Sequence, residues 1–71
     1  MQREPVDSEA IASVGYDADM RVLEIEFTSG AVYRYFDVPA SAHADLMTAT
    51  SLGEYFAEHI RDVGYSFERR A

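Results

Sequence analysis

The side chains with chemistry to offer are His43 and His59, six serines, 13 aspartates and glutamates and six arginines; cysteine, lysine and tryptophan are absent. Without cysteine there is no thiolate metal site, no disulfide and no cysteine nucleophile. Two imidazoles fall short of the three protein ligands a catalytic zinc site normally uses. Asp17-x-Asp19 opens like a calcium loop, but the later ligand positions and the closing glutamate are missing. Glu54, Glu58 and Asp62 recur every four residues, which reads as a solvated helix face with Arg61 compensating part of the charge. Serines 8, 13, 29, 41, 51 and 66 all sit where a turn, cap or strand can use them, and none lies in a nucleophile elbow. Gly15, Gly30, Gly53 and Gly64 stand alone, so no phosphate-cradling loop is written here. No catalytic residue, metal or cofactor is expected, and an enzyme ranks last.

Binding chemistry is better represented. Tyr33-Arg34-Tyr35 is an aromatic and cationic triplet, and Arg61, Arg69 and Arg70 follow near the end. Tyrosine and arginine on a sheet can stack on bases. The net charge of −7 opposes that use, because phosphate contacts dominate nucleic-acid affinity. The acids concentrate in residues 1–37, with eight against three arginines, while residues 38–71 hold five against three. A polyanion would therefore meet the last helix and tail rather than the sheet.

The elements that must position these groups are legible. The length of 71 residues allows one domain, and 48% hydrophobic residues with nine aromatics argue for a folded core. Residues 1–9 are polar, broken by Pro5, and read as a flexible lead-in. Ile11 to Tyr16 forms a first strand, with Gly15 a bulge or close-approach point, and Asp17 to Met20 a turn. Leu23, Ile25 and Phe27 alternate with Glu24 and Glu26, the clearest period of two in the chain. Thr28-Ser29-Gly30 fits a three-residue hairpin loop with Gly30 in the left-handed position. That register sets Ile25 opposite Tyr33, Leu23 opposite Tyr35 and Glu24 opposite Arg34, which points both tyrosines toward the helices.

Pro39 then starts a helix over 40–49. Ser51-x-x-Glu54 is a capping box, followed by the stripe Leu52, Tyr55, Phe56, His59, Ile60 and Val63, with Gly64 as the stop. On that stripe His59 should be half-buried against the sheet. The expected fold is α+β: a three-stranded antiparallel β-meander followed by two α-helices packed on one face (βββαα), with the domain over 10–67 and a frayed tail over 68–71. Val22, Val32 and Phe36 would face outward. No apolar run is long enough to span a membrane, and the acidic start does not resemble a signal peptide, so a cytoplasmic protein is expected.

Tyr33-x-Tyr35, Val38-Pro39, Ser51-x-Gly53-x-Tyr55-Phe56 and Ile60-Arg61, in that order, resemble the KTSC domain family, which includes the C-terminal domain of some lysyl-tRNA synthetases and free-standing bacterial and phage proteins. Ser8-x-x-Ile11-x-x-Val14-Gly15-Tyr16-Asp17 and Leu23-x-Ile25-x-Phe27-x-x-Gly30 extend the resemblance over residues 8–67. The resemblance implies a compact module without catalytic residues, for which RNA binding has been suggested through the synthetase. The chain departs from the family at Ala57, where many members carry Asn, and at Asp62 to Ser66, a stretch one residue longer than the one members commonly carry there and without its base and proline. A protein partner or self-association is the first expectation for function, through an exposed edge strand or the outer sheet face. Nucleic-acid binding is the second. The candidate binding residues are Tyr33, Arg34, Tyr35, Ser51, Tyr55, Arg61, Arg69 and Arg70.

Overall fold

In the computed structural model, which describes all residues 1–71, alternating apolar and charged side chains build one antiparallel sheet. Its strands are β1 (Arg3–Pro5), β2 (Ile11–Asp17), β3 (Val22–Phe27), β4 (Val32–Tyr35) and β5 (Phe67–Arg69), in the spatial order β1-β2-β3-β4-β5. Helices α1 (Ala40–Thr48) and α2 (Leu52–Phe56) lie between β4 and β5 in the chain, and α2 runs on into a π-helical turn over Ala57–Arg61. The sheet thus has five strands rather than the three of the expected meander.

The central hairpins follow local chemistry. Asp17 Oδ1 accepts from the amides of Asp19 (3.0 Å) and Met20 (3.1 Å), closing the β2–β3 turn. Gly30 has φ +97°, a conformation that side chains disfavour, and β3 pairs with β4 in the expected register: Leu23 with Tyr35, Glu24 with Arg34, Ile25 with Tyr33. A bulge between Ile11 and Ser13 shifts the β2 register. This lets both Ile11 and Val14 reach the core, although their spacing of three would place them on opposite faces of a regular strand. Together with Leu23, Ile25, Tyr35 and Val38 they pack against Leu46, Phe56 and Ile60 from the helical segments.

The two added strands are edge strands of three residues each, and all six of those residues are exposed. Neither shows the apolar alternation by which strands are found. Pro5, which argued for an unpaired lead-in, is compatible with an edge because it need not donate to a ladder. β1 is held by Gly15, where an added Cβ would lie 2.8 Å from the Gln2 carbonyl oxygen, so Gly15 is the close-approach point. β5 returns the chain from the π turn to pair with β4.

Ser51 Oγ accepts from the Glu54 amide at 3.3 Å and caps α2. The following stripe is not a regular helix. The Asp62 amide donates to the Ala57 carbonyl at 3.1 Å, a spacing of five. The wider turn keeps Phe56 and Ile60 in the core and turns His59 and Val63 outward, correcting the expected burial of His59. On the opposite sheet face, where Val22, Val32 and Phe36 were expected to face outward, Val22 and Val32 are buried and Phe36 is half-buried.

Candidate binding groove

The β4–β5 register brings a set of aromatic rings together on the helix-bearing face. Tyr35 lies opposite Phe67 and Tyr33 opposite Arg69, so Phe67 and Arg69 share a face with both tyrosines. Phe27 joins from the end of β3 and Phe56 from the end of α2. Tyr35 contacts Phe56 (5.6 Å between centroids) and Phe67 (5.6 Å), and Tyr33 contacts Phe27 and Phe67 (both 5.8 Å). These rings line a groove of about 440 Å³ whose mouth carries Ser29, Ala31 and Arg61.

Exposure rises steeply across this row. Tyr35 and Phe56 are 5% and 4% exposed, whereas Phe67 is 61% exposed. Phe56 from α2 covers Tyr35 on β4, while Phe67 on β5 stays open. Burial first, and the neighbouring Tyr33 second, push the Tyr35 phenol up, while the Arg61 charge opposes them. The Arg69 guanidinium lies 6.0 Å from the Tyr33 ring centroid, within cation–π range. Arg61 is the one charged residue lining the groove; its Nε donates to Asp62 Oδ1 at 3.1 Å, and the Arg69 Nε beside the groove donates to the Ala71 carbonyl oxygen at 2.9 Å, which leaves the Nη groups of both without a protein partner.

Of the candidate residues, Tyr33, Tyr35, Arg61 and Arg69 meet here. Arg34 does not: its Nε donates to Glu24 Oε1 at 2.7 Å on the opposite face, where Arg3 Nη1 reaches Glu24 Oε2, also at 2.7 Å. Arg70 pairs with Glu68 at 3.3 Å. Ser51 is occupied as a helix cap, and Tyr55 stacks on His59 at 4.4 Å between centroids. Burial first, then the Asp45 carboxylate, push the Tyr55 phenol up. His43 stacks on Tyr16 at 4.6 Å, so the two histidines serve separate aromatic pairs. No three histidine or carboxylate side chains converge into a group able to hold a metal ion. No helix is long and apolar enough to cross a membrane.

Phe27, Phe56 and Phe67 were not among the sequence candidates. For Phe67 the signal was present but short, since Tyr65, Phe67 and Arg69 alternate with Ser66 and Glu68.

The KTSC domain family model matches residues 7–65. The chain belongs to the KTSC domain family. A crystal structure of a KTSC domain protein from Yersinia pestis superposes with a TM-score of 0.93 at 40% identity, covering 99% of this chain and 97% of that one. An uncharacterized protein of Stutzerimonas stutzeri is 39% identical over 69 residues, 97% of each chain. A lysine–tRNA ligase of Nostoc punctiforme is 40% identical over 55 residues, which are 78% of this chain and 10% of the ligase. The KTSC domain is thus similar both to a small protein of its own size and to a minor segment of a much larger enzyme.

Proposed function

We propose that this KTSC domain is a non-catalytic interaction module whose working surface is the aromatic groove between β4, β5 and the π turn, and whose partner is another protein. The observation that carries this reading is Phe67. It is a large ring left 61% exposed at the end of an aromatic row whose other members are buried or half-buried. Exposed aromatic anchors beside arginine are what protein interfaces enrich. Titrating the ¹⁵N-labelled domain with short peptides and single-stranded oligonucleotides tests the reading. Shifts concentrated on Tyr33, Tyr35, Arg61 and Phe67 support it, and ligands that shift other surfaces alone overturn it.

Nucleic-acid binding is the second reading, with a base stacked in the groove and phosphates near Arg61 and Arg69. The similarity to segments of lysine–tRNA ligases and the position of Arg69 over Tyr33 favour it. The net charge of −7 and the engagement of Arg34 by Glu24 oppose it. Such binding would weaken steeply as salt rises, because it releases counterions. Affinity that is flat between low and physiological salt rejects it.

A further inference from the structure

β5 is an edge strand, and the direction of its backbone groups is fixed by its pairing. The Phe36 amide donates to the Ser66 carbonyl (2.8 Å) and the Arg70 amide to the Val32 carbonyl (2.6 Å). Antiparallel hydrogen bonding alternates along a strand. The N–H and C=O groups of Phe67 and Arg69 therefore point away from β4, to the open side of the sheet. The side chains of these same two residues face the groove. One segment thus carries unpaired backbone groups, an exposed ring and a guanidinium.

We propose that β5 accepts an extended peptide as a sixth, antiparallel strand, with an aromatic residue of that peptide opposite Phe67 and a carboxylate two residues earlier opposite Arg69. This rests on the groove being the working surface and names its partner. Main-chain bonds to the edge supply affinity, and alternate side chains supply specificity. The residue opposite Phe67 projects onto the groove face, where its ring extends the row of Tyr33, Tyr35 and Phe67. The residue opposite Arg69 meets a guanidinium that lies over Tyr33 and holds the Ala71 carbonyl oxygen through Nε alone, with its Nη groups open to a carboxylate. The residue between them lies opposite Glu68 on the other face, where a base is complementary. The recognised pattern is acid–base–aromatic.

Charge and geometry disfavour the other occupants. A second copy paired through β5 with Phe67 opposite Arg69 sets the two Glu68 side chains directly opposite each other, and like charges so placed are destabilising. It also joins two chains of net charge −7. A nucleic acid leaves the backbone edge unused and meets the same net charge.

A ten-residue peptide with Glu-Lys-Phe at its centre, capped at both ends, is the probe, added to the ¹⁵N-labelled domain. Expected are shifts and slowed exchange at the Phe67 and Arg69 amides. Replacing the peptide's phenylalanine by alanine should weaken binding at least tenfold. The variant Arg69→Glu should lose the Glu-Lys-Phe peptide and gain one with Lys-Lys-Phe, whereas Arg21→Glu, exposed in the β2–β3 turn, should change affinity by less than twofold. N-methylation of the peptide's phenylalanine, whose amide faces β5, should abolish binding, while N-methylation of the central lysine should not. Equal binding of both N-methyl peptides, or equal binding of the Glu-Lys-Phe and Lys-Lys-Phe peptides by the unsubstituted domain, overturns strand addition. Concentration-dependent dimers seen by sedimentation, with β5 amides protected in them, overturn it in favour of a second copy. If an oligonucleotide shifts the groove and the peptides do not, the peptide proposal fails and the groove stands; if nothing shifts the groove, both fail.

Discussion

Arg3 reaches Glu24 across a strand, and it does so over Gly15. The three residues stand in one cross-strand row with Arg34 and Glu68, in the order Arg3, Gly15, Glu24, Arg34, Glu68. Because Gly15 has no side chain, the Arg3 guanidinium passes over β2 and meets Glu24 Oε2 at 2.7 Å. The Glu24 side chain, 6% exposed, is thereby satisfied from both sides, by Arg3 and Arg34. A strand of three exposed residues is tied into the sheet through this contact.

Gly15→Val should detach β1. The first added atom would already lie 2.8 Å from the Gln2 backbone and 3.1 Å from the Arg3 side chain. Overpacking of this kind costs about 1–3 kcal/mol. Urea denaturation reads the loss, and hydrogen exchange at Val6, whose amide bonds the Ala12 carbonyl, reads the detachment. Unchanged protection there would contradict the role given to Gly15.

Glu24 makes stability acid-sensitive. Burial alone would raise its pKa, but the hydrogen bonds from Arg34 and Arg3 outweigh burial and hold the carboxyl below its ordinary value of 4.5. A group lowered on folding stabilises above its unfolded value, and that contribution fades as pH falls through the folded one. The wild type should therefore lose stability below about pH 4.5, and Glu24→Gln should show a shallower loss. At pH 7 the same substitution should cost about 1–3 kcal/mol, held to that range because both arginines are about a third exposed and can hydrate. Chemical denaturation at several pH values measures both.

His43 should titrate below 6.5. Its partial burial against Tyr16 disfavours the imidazolium, and the Glu4 charge offsets only part of that. The neutral ring stabilises the fold above pH 6.5, and the contribution declines as pH drops from there through the folded value. Proton NMR of the ring reads the midpoint; a value at or above 6.5 would contradict this packing.

The π turn separates two residues that a regular helix would place on one stripe. Ile60→Ala should cost about 2–4 kcal/mol as a core truncation. Val63→Ala should stay within about 0.5 kcal/mol, since that side chain is 57% exposed. Comparable losses for both in thermal denaturation would restore the uninterrupted helix.

The central hairpin was legible because its determinants are local. Gly30 selects the loop, and the loop with the alternation of Leu23 to Phe27 fixes every partner on β4. The Asp17 turn and the Ser51 cap are likewise set within three residues of sequence. β1 and β5 were not legible, because three exposed residues carry no pattern in β1 and only a brief alternation in β5, and both gain their place from a strand elsewhere in the chain. His59 was misplaced for a related reason: the stripe from Leu52 to Val63 is a good helical repeat, and the π turn over Ala57–Arg61, which that repeat does not announce, changes the period just where His59 lies.

The same division holds for the site. Tyr33 and Tyr35 were correctly set on the helix-bearing face, because strand parity decides sides. By itself, the sequence determined that the chain is a single acidic α+β domain with a central hairpin of known register, and that its tyrosines share one face. Tertiary structure alone decided that Phe67 and Arg69 join those tyrosines, that Arg3 reaches Glu24 from the other side of Arg34, and that Phe67 is left exposed at this end of the sheet. Strand faces follow from a period of two within one segment, whereas a groove exists only where segments distant in sequence are packed side by side.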